Sequence, residues 1–266
     1  VKKIVIPFTN YEPGVLDPLV DYMGQFGAVH ILHPSQKPDY NIDLLVLPYG
    51  PDMAFEPSYF ANTYPLTDHQ RTCPHLQYFF EYLLYGYIQQ EVPIFGICLG
   101  FQMLAAQYNS ILTTPAVGHD TKQYHAIAAK APLRYIMNVD IKKDALYYVN
   151  SSHHIAVAPQ DLGEELIPLA YSVNSKAPFK KEVVDDVAFK IPDNLEFVEC
   201  FRHYALKIAA VQWHPERIKN RLKSRSKKKT GLLIGDILAN SLINEMLNDG
   251  SRLWPDRGAH PIPVRS

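Results

Sequence analysis

A short apolar stretch, Val92-Pro93-Ile94-Phe95, runs into Gly96-Ile97-Cys98-Leu99-Gly100 and then into the helical pattern that begins Phe101-Gln102. Strand, sharp turn and helix in direct succession constrain the fold more than anything else in the chain. Glycines two positions before and two after Cys98 permit the turn without a Cβ clash, and they lift the thiol above the sheet edge at the start of a helix. Backbone N–H groups and the positive helix end there favour the thiolate, the reactive form. Cys98 is therefore a candidate nucleophile. Cys73 and Cys200 sit in no such elbow and read as small buried hydrophobes.

A thiolate needs a proton shuttle. Far downstream, Ala209-Ala210-Val211-Gln212-Trp213-His214-Pro215-Glu216 places a histidine and a carboxylate just beyond a strand pattern. His214 can serve as general base and then as acid to a leaving amine, with Glu216 holding its tautomer. The pair of motifs, in this order, resembles the class I glutamine amidotransferase-like superfamily, in which Gly-x-Cys-x-Gly-x-Gln carries the nucleophile and His-Pro-Glu follows. The resemblance implies a catalytic set of Cys98, His214 and Glu216, with Gln102 in the substrate pocket. It also implies a flavodoxin-like α/β fold of three layers, a mainly parallel sheet flanked by helices with a cysteine nucleophile elbow.

Two further segments extend the resemblance. Leu44-Leu45-Val46-Leu47-Pro48-Tyr49-Gly50-Pro51-Asp52 is a buried-strand pattern ending in a turn. In the family that turn supplies half of an oxyanion hole, which carries over to the N–H groups of Gly50 and Leu99. Tyr49 stands where many relatives have a first glycine. Val149-Asn150-Ser151-Ser152-His153-His154 is similar to a pocket-lining segment of the gamma-glutamyl hydrolase and gamma-glutamyl-amine hydrolase branch, implying substrate contacts from Ser151, Ser152, His153 and His154. Gly118 to His125 resembles a Gly-His stretch that follows the nucleophile helix in several amidotransferases, and is read as a pocket loop.

Neither His153-His154 nor the pair His119 and His125 has a Cys or carboxylate at ligand spacing, so no metal and no cofactor is expected. The 266 residues, 47% hydrophobic and 20% charged with a net charge of -1, suit one globular core. Residues 1–250 are expected to form a single domain with insertions at 174–193 and 217–230, followed by a proline-rich tail, 251–266, along the surface. No apolar run reaches membrane-spanning length, no signal-peptide pattern opens the chain, and three cysteines do not make a disulfide framework. A cytoplasmic location is the expectation.

The hydrophobic periodicity gives alternating units: strands at 3–8, 29–33, 43–48 and 94–97, and helices at 17–26, 76–88 and 99–108. From Leu133 the pattern turns to strands, at 136–141, 166–171, 195–202 and 206–213, before a last helix at about 232–247. The basic run 217–229 (Arg217, Lys219, Arg221, Lys223, Arg225, Lys227, Lys228 and Lys229) has no acid in it. It reads as a solvated loop, or as a patch for an anionic partner.

The implied chemistry is attack of Cys98 on a gamma-glutamyl amide, release of the amine and hydrolysis of the thioester. If ammonia leaves, the chain acts as a glutamine amidotransferase with a synthase partner. If a larger amine leaves, it is a free-standing gamma-glutamyl hydrolase. Leu99 beside the cysteine favours the first; Leu47 to Met53, Pro57 and Val149 to His154 lean to the second. The balance goes to the amidotransferase-like enzyme, with the hydrolase as the alternative. A silent binding module on the same fold is a third reading, opposed by the intact Cys98, His214 and Glu216.

Overall fold

The apolar runs at 44–47, 94–97 and 208–211 become the centre of a nine-stranded sheet and are buried along their whole length, as parallel strands covered by helices on both faces must be. The computed structural model describes residues 1–9, 14–50, 55, 59, 73–113, 124–129, 147–150, 152, 153, 155–173, 179–184, 187–192, 195–217, 234–248 and 254. Strands β1 (Lys3–Pro7), β2 (Ala28–Leu32), β3 (Leu44–Leu47) and β4 (Ile94–Ile97) come first along the chain. The short β5 (Leu112–Thr113) is followed by β6 (Tyr124–Ala129), β7 (Tyr147–Asn150), the short β8 (Ala156–Val157) and β9 (Leu166–Val173). Last come β10 (Phe179–Val184), β11 (Val187–Pro192), β12 (Leu195–His203) and β13 (Ile208–Val211).

The order in space is β2-β1-β3-β4-β13-β12-β9-β6-β7. From β2 to β13 the neighbours run parallel; from β13 to β7 they run antiparallel. The expected parallel sheet thus carries an antiparallel wing, which the run of strand patterns after Leu133 foreshadowed. The expected strand at 136–141 lies outside the described residues, as do 118–123, most of the basic run and most of the tail.

Helices cover both faces. On one, α1 (Asp17–Met23) and the C-terminal helix, Ile234–Leu247, bury Leu19, Tyr22, Met23, Leu238, Leu242, Ile243 and Met246 against Ile4, Ile6, Phe95 and Trp213. On the other, a helix beginning at Pro74 and the helix that follows Cys98 pack Leu76, Phe79, Leu84, Tyr87, Phe101 and Leu104 against Leu45, Leu47 and Ile94. Each such side chain, fully buried, contributes about 1.5–3 kcal/mol.

The Pro74 helix, α2, has three stretches: Pro74–Tyr78, a π-helical turn at Phe79–Leu83, and Leu84–Gln89. Proline at its first turn costs no hydrogen bond. The extra residue in the π turn lets Phe79, Phe80 and Leu84 all face the sheet. The helix after Cys98 is α3 (Leu99–Gln107), apolar all round and buried from Leu99 to Ala106. The C-terminal helix is α4.

Two features bear on the additions to the core expected from composition. Within the expected insertion 174–193, β10 and β11 form an antiparallel hairpin, paired from Phe179↔Pro192 to Val184↔Val187. It lies in the chain between β9 and β12, which pair directly with each other, and forms a two-stranded sheet of its own. Trp254, expected to open a surface tail, is 5% exposed, packs in the core with α4 and donates from Nε1 to His203 O at 3.0 Å. An indole hides much apolar area and needs one acceptor, and the turn after β12 offers both.

Candidate active site

The site grows from the adjacency of β4 and β13. Ile97 pairs with Val211, and Cys98 N–H donates to Val211 O at 2.9 Å, so the chain end of β4 is fastened to the strand that runs on to His214. Cys98 has φ 52° and ψ −100°, a positive-φ conformation that a side chain adopts at a cost of about 1–3 kcal/mol. The sequence pattern suggested that the glycines take the sharp turn. The cysteine itself takes it, and the glycines serve close packing. A Cβ on Gly96 would lie 2.6 Å from Gly100 O, and one on Gly100 would overlap Leu47 O and come within 2.7 Å of Leu47 Cβ. Gly100 N–H donates to Pro48 O at 3.2 Å, and Gln102 N–H to Cys98 O at 3.2 Å. The elbow, α3 and the end of β3 are locked together.

His214 is 3% exposed, and its Nδ1 meets Glu216 Oε1 at 2.8 Å. With Nδ1 committed to the carboxylate, Nε2 is left for Cys98, the largest of the influences that favour the charged ring. Burial works against the imidazolium, but the charge and hydrogen bond of Cys98, followed by those of Glu216, push the His214 pKa up to about 9. At neutral pH the site thus holds a protonated imidazole beside the sulfur. Cys98, His214 and Glu216, far apart in sequence, are brought together as expected.

The surroundings of His214 contain residues that sequence reasoning did not connect with it. Tyr49 packs its ring edge-on against the imidazole, centroids 5.0 Å apart, and donates from its hydroxyl to Val15 O at 2.5 Å. Burial, and then the Glu216 charge, raise the Tyr49 pKa to about 12, so this phenol stays neutral. The Arg217 guanidinium lies 4.8 Å from the centre of the Tyr49 ring, and its Nε stands 3.3 Å from Glu216 Oε1. Arg217 is the one described residue of the basic run, and it turns toward the site. Asn150 bonds the backbone of His214 in both directions, at 2.8 Å each.

The other expected pocket residues divide. Gly50 follows directly on the turn that holds Gly100, and Leu99 opens α3, where helix geometry leaves N–H groups without an intrahelical partner. Ser152 is half-buried. Gln102 and His153, each 2% exposed, both turn to Ile155 O, from Nε2 at 3.5 Å and Nδ1 at 3.1 Å respectively. They build a wall. His153 Nε2 and His125 Nε2 then flank the fully buried Glu199 carboxylate, at 3.5 and 3.3 Å from Oε1. The signal for Glu199 was an acid inside the apolar strand Phe197-Val198-Glu199-Cys200-Phe201. Ser151 and His154 lie outside the described residues. No group of His, Cys, Asp and Glu among the described residues is arranged to hold a metal ion.

A family model described as peptidase C26 matches residues 35–216, from before β3 to the end of the His214 segment. The chain belongs to the peptidase C26 family. This places it among the class I glutamine amidotransferase-like proteins. Comparison with curated proteins gives no match. Among solved structures, a glutamine amidotransferase from Thermotoga maritima superposes with a TM-score of 0.56 at 18% identity, covering 93% of this chain and 98% of that one. A protein from Thermoplasma acidophilum, assigned as part of a GMP synthase, gives a TM-score of 0.55 at 16% identity, covering 92% of this chain and 94% of that one. At these identities the likeness is one of fold, and the family's fold is the one described above. No helix among the described residues is long and apolar enough to cross a membrane.

Proposed function

We propose that this peptidase C26 member hydrolyses a gamma-glutamyl amide through a thioester on Cys98. The observation that carries the reading is His214 held between Glu216 and the Cys98 sulfur. Sγ attacks the amide carbonyl, and the N–H groups of Gly50 and Leu99 receive the oxyanion, each donor contributing roughly 3 kcal/mol. The His214 imidazolium gives its proton to the amine as the C–N bond breaks. Water then attacks the thioester carbonyl, His214 takes a proton from it, and the C–S bond breaks to return Cys98 and free glutamate.

Ammonia as the leaving group makes the protein a glutamine amidotransferase that supplies a synthase, and the amidotransferase neighbours support that reading. The second reading is a free-standing hydrolase of a gamma-glutamyl amine or peptide. It is favoured by the peptidase C26 match and by the Val149 to His154 segment. Glutamate release from glutamine and from a panel of gamma-glutamyl amines separates the two. Wild-type protein that releases glutamate from none of them, and whose Cys98 takes up no gamma-glutamyl label, would refute both. A single domain is part of this reading, with its limit moved from 250 to include the buried Trp254. The three cysteines are free thiols, which fits a cytoplasmic enzyme.

Two expectations follow from His214. Its proton is the one given to the amine, so activity should persist below pH 9 and fall as the pH rises through about 9, where the imidazolium is lost. A kcat/KM profile with no alkaline decline between pH 8 and 10 would contradict this assignment. Glu216→Gln keeps an acceptor for Nδ1–H and loses the charge. Because the Cys98 contributions to the raised His214 pKa exceed those of Glu216, kcat should drop by roughly 10–100-fold, less than for loss of the nucleophile. Stopped-assay rates on the purified variant test it, and a loss as complete as that of a Cys98 variant would give Glu216 a more direct part.

A further inference from the structure

Beyond Val211 the chain leaves the sheet. Gln212 N–H still bonds Glu199 O, at 2.8 Å, but the next turns carry His214 off the ladder into a bend that ends in the helical turn Pro215–Arg217. A buried backbone N–H and C=O without sheet partners would be costly there. Asn150, the last residue of edge strand β7, takes over the part of a neighbouring strand. His214 N–H donates to Asn150 Oδ1 at 2.8 Å, and Asn150 Nδ2–H donates to His214 O at 2.8 Å. The backbone N–H can only donate and the carbonyl only accept, so the orientation of the amide is fixed. Arg217 N–H gives the same carbonyl a second donor, at 3.2 Å.

The closed ring formed by the Asn150 amide and the His214 peptide groups does more than satisfy polar atoms. It fixes the His214 Cα and the direction in which Cβ leaves, while the Tyr49 ring and Glu216 Oε1 bear on the imidazole itself. No other side chain fits the task. Aspartate has no donor for His214 O and sets a charge against it, glutamine is one methylene too long, and alanine leaves both groups open. We infer that Asn150 is a positioning residue, which aims the His214 imidazole at Cys98 by clamping the His214 backbone from across the antiparallel wing.

The inference rests on the reading of Cys98 and His214 as the reactive pair, and its test separates the two. Asn150→Ala and Asn150→Asp are compared with wild type in glutamate release, in Cys98 alkylation by iodoacetamide at pH 7, and in the NMR titration of His214. A misplacement on the order of 1 Å costs about 100-fold. Asn150→Ala should therefore lose about 100-fold in kcat with KM within twofold. Its Cys98 should react at least fivefold more slowly, and its His214 should titrate lower than the wild-type value of about 9. Asn150→Asp, which keeps one bond, should fall between. A loss confined to KM would make Asn150 a substrate ligand and overturn the inference, as would near-wild-type kcat with an unmoved titration. If the alanine variant does not fold, the aspartate variant must show the same split, and a lowered melting temperature with an unmoved titration refutes the clamp. Alkylation and titration need no substrate. Their shift in a protein that releases no glutamate would sink the hydrolytic reading and leave the clamp standing.

Discussion

Cys98→Ala should release glutamate at least about 10⁴-fold more slowly than wild type, because in the proposed reaction it removes the atom that bonds to substrate and leaves the His214–Glu216 pair with no thiol to serve. The fold should survive. Alanine adopts the positive φ of position 98 no more and no less readily than cysteine, and only a sulfur is lost from a residue 6% exposed. The substitution carries a second signature that activity alone would miss. Among the influences on His214, burial opposes the charged ring and Cys98 is the first of those that favour it. Without the sulfur, the His214 pKa must fall from about 9. Titration of the imidazole by NMR in both proteins reads this directly. An alanine variant with intact turnover, or a His214 that titrates unchanged, would dismantle the pair.

The second large effect is expected from a residue that touches no substrate. Gly100→Ala would force a Cβ into Leu47 O, a backbone atom in a buried strand that has no room to yield. Overpacking of this kind costs about 3 kcal/mol or more, which lowers the melting temperature by about 10 °C for a chain of this size. Activity should be lost in the fraction that still folds, since α3 must move away from β3 and carry Leu99 N–H and Cys98 with it. Gly24→Ala is the control: its Cβ would meet Val20 O at 3.2 Å and Asp21 O at 3.5 Å, at the end of α1, with no overlap, and stability should change by less than about 1 kcal/mol. Calorimetry of the two variants decides the matter. Equal melting temperatures would mean that the elbow tolerates a wider gap between α3 and β3.

Much of this was legible because it is local. Leu44 to Leu47, Ile94 to Ile97 and Ile208 to Val211 are buried on both faces, and unbroken apolar runs announce such strands. The α2 periodicity from Leu76 to Ile88 survives as one buried face, although the π turn that keeps it aligned leaves no mark in composition. Cys98, His214 and Glu216 were legible through their motifs. What the sequence left open is long-range. Nothing in residues 208–211 says that β13 inserts beside β4, the adjacency on which the site depends. Asn150 lay in a segment singled out for its histidines, yet its partner is a backbone group, and backbone groups carry no sequence signal. Trp254 was misplaced for the same reason: a lone aromatic among prolines has no periodicity, and its acceptor is the His203 carbonyl.

The division of the sheet has a consequence for how such enzymes diverge. Cys98 and His214 extend from β4 and β13, with Gly50 beyond β3, three neighbouring strands buried on both faces, where almost any exchange disturbs packing. Among the described residues the wing runs from β12 to β7, with β7 as its last strand, and the chain adds a hairpin between β9 and β12. Under the proposed function, the wing can therefore change around the site while β3, β4 and β13 keep Cys98 and His214 in place. In that reading substrate choice and the alignment of the pair can vary separately, provided that the single Asn150 amide reaching back to His214 is kept.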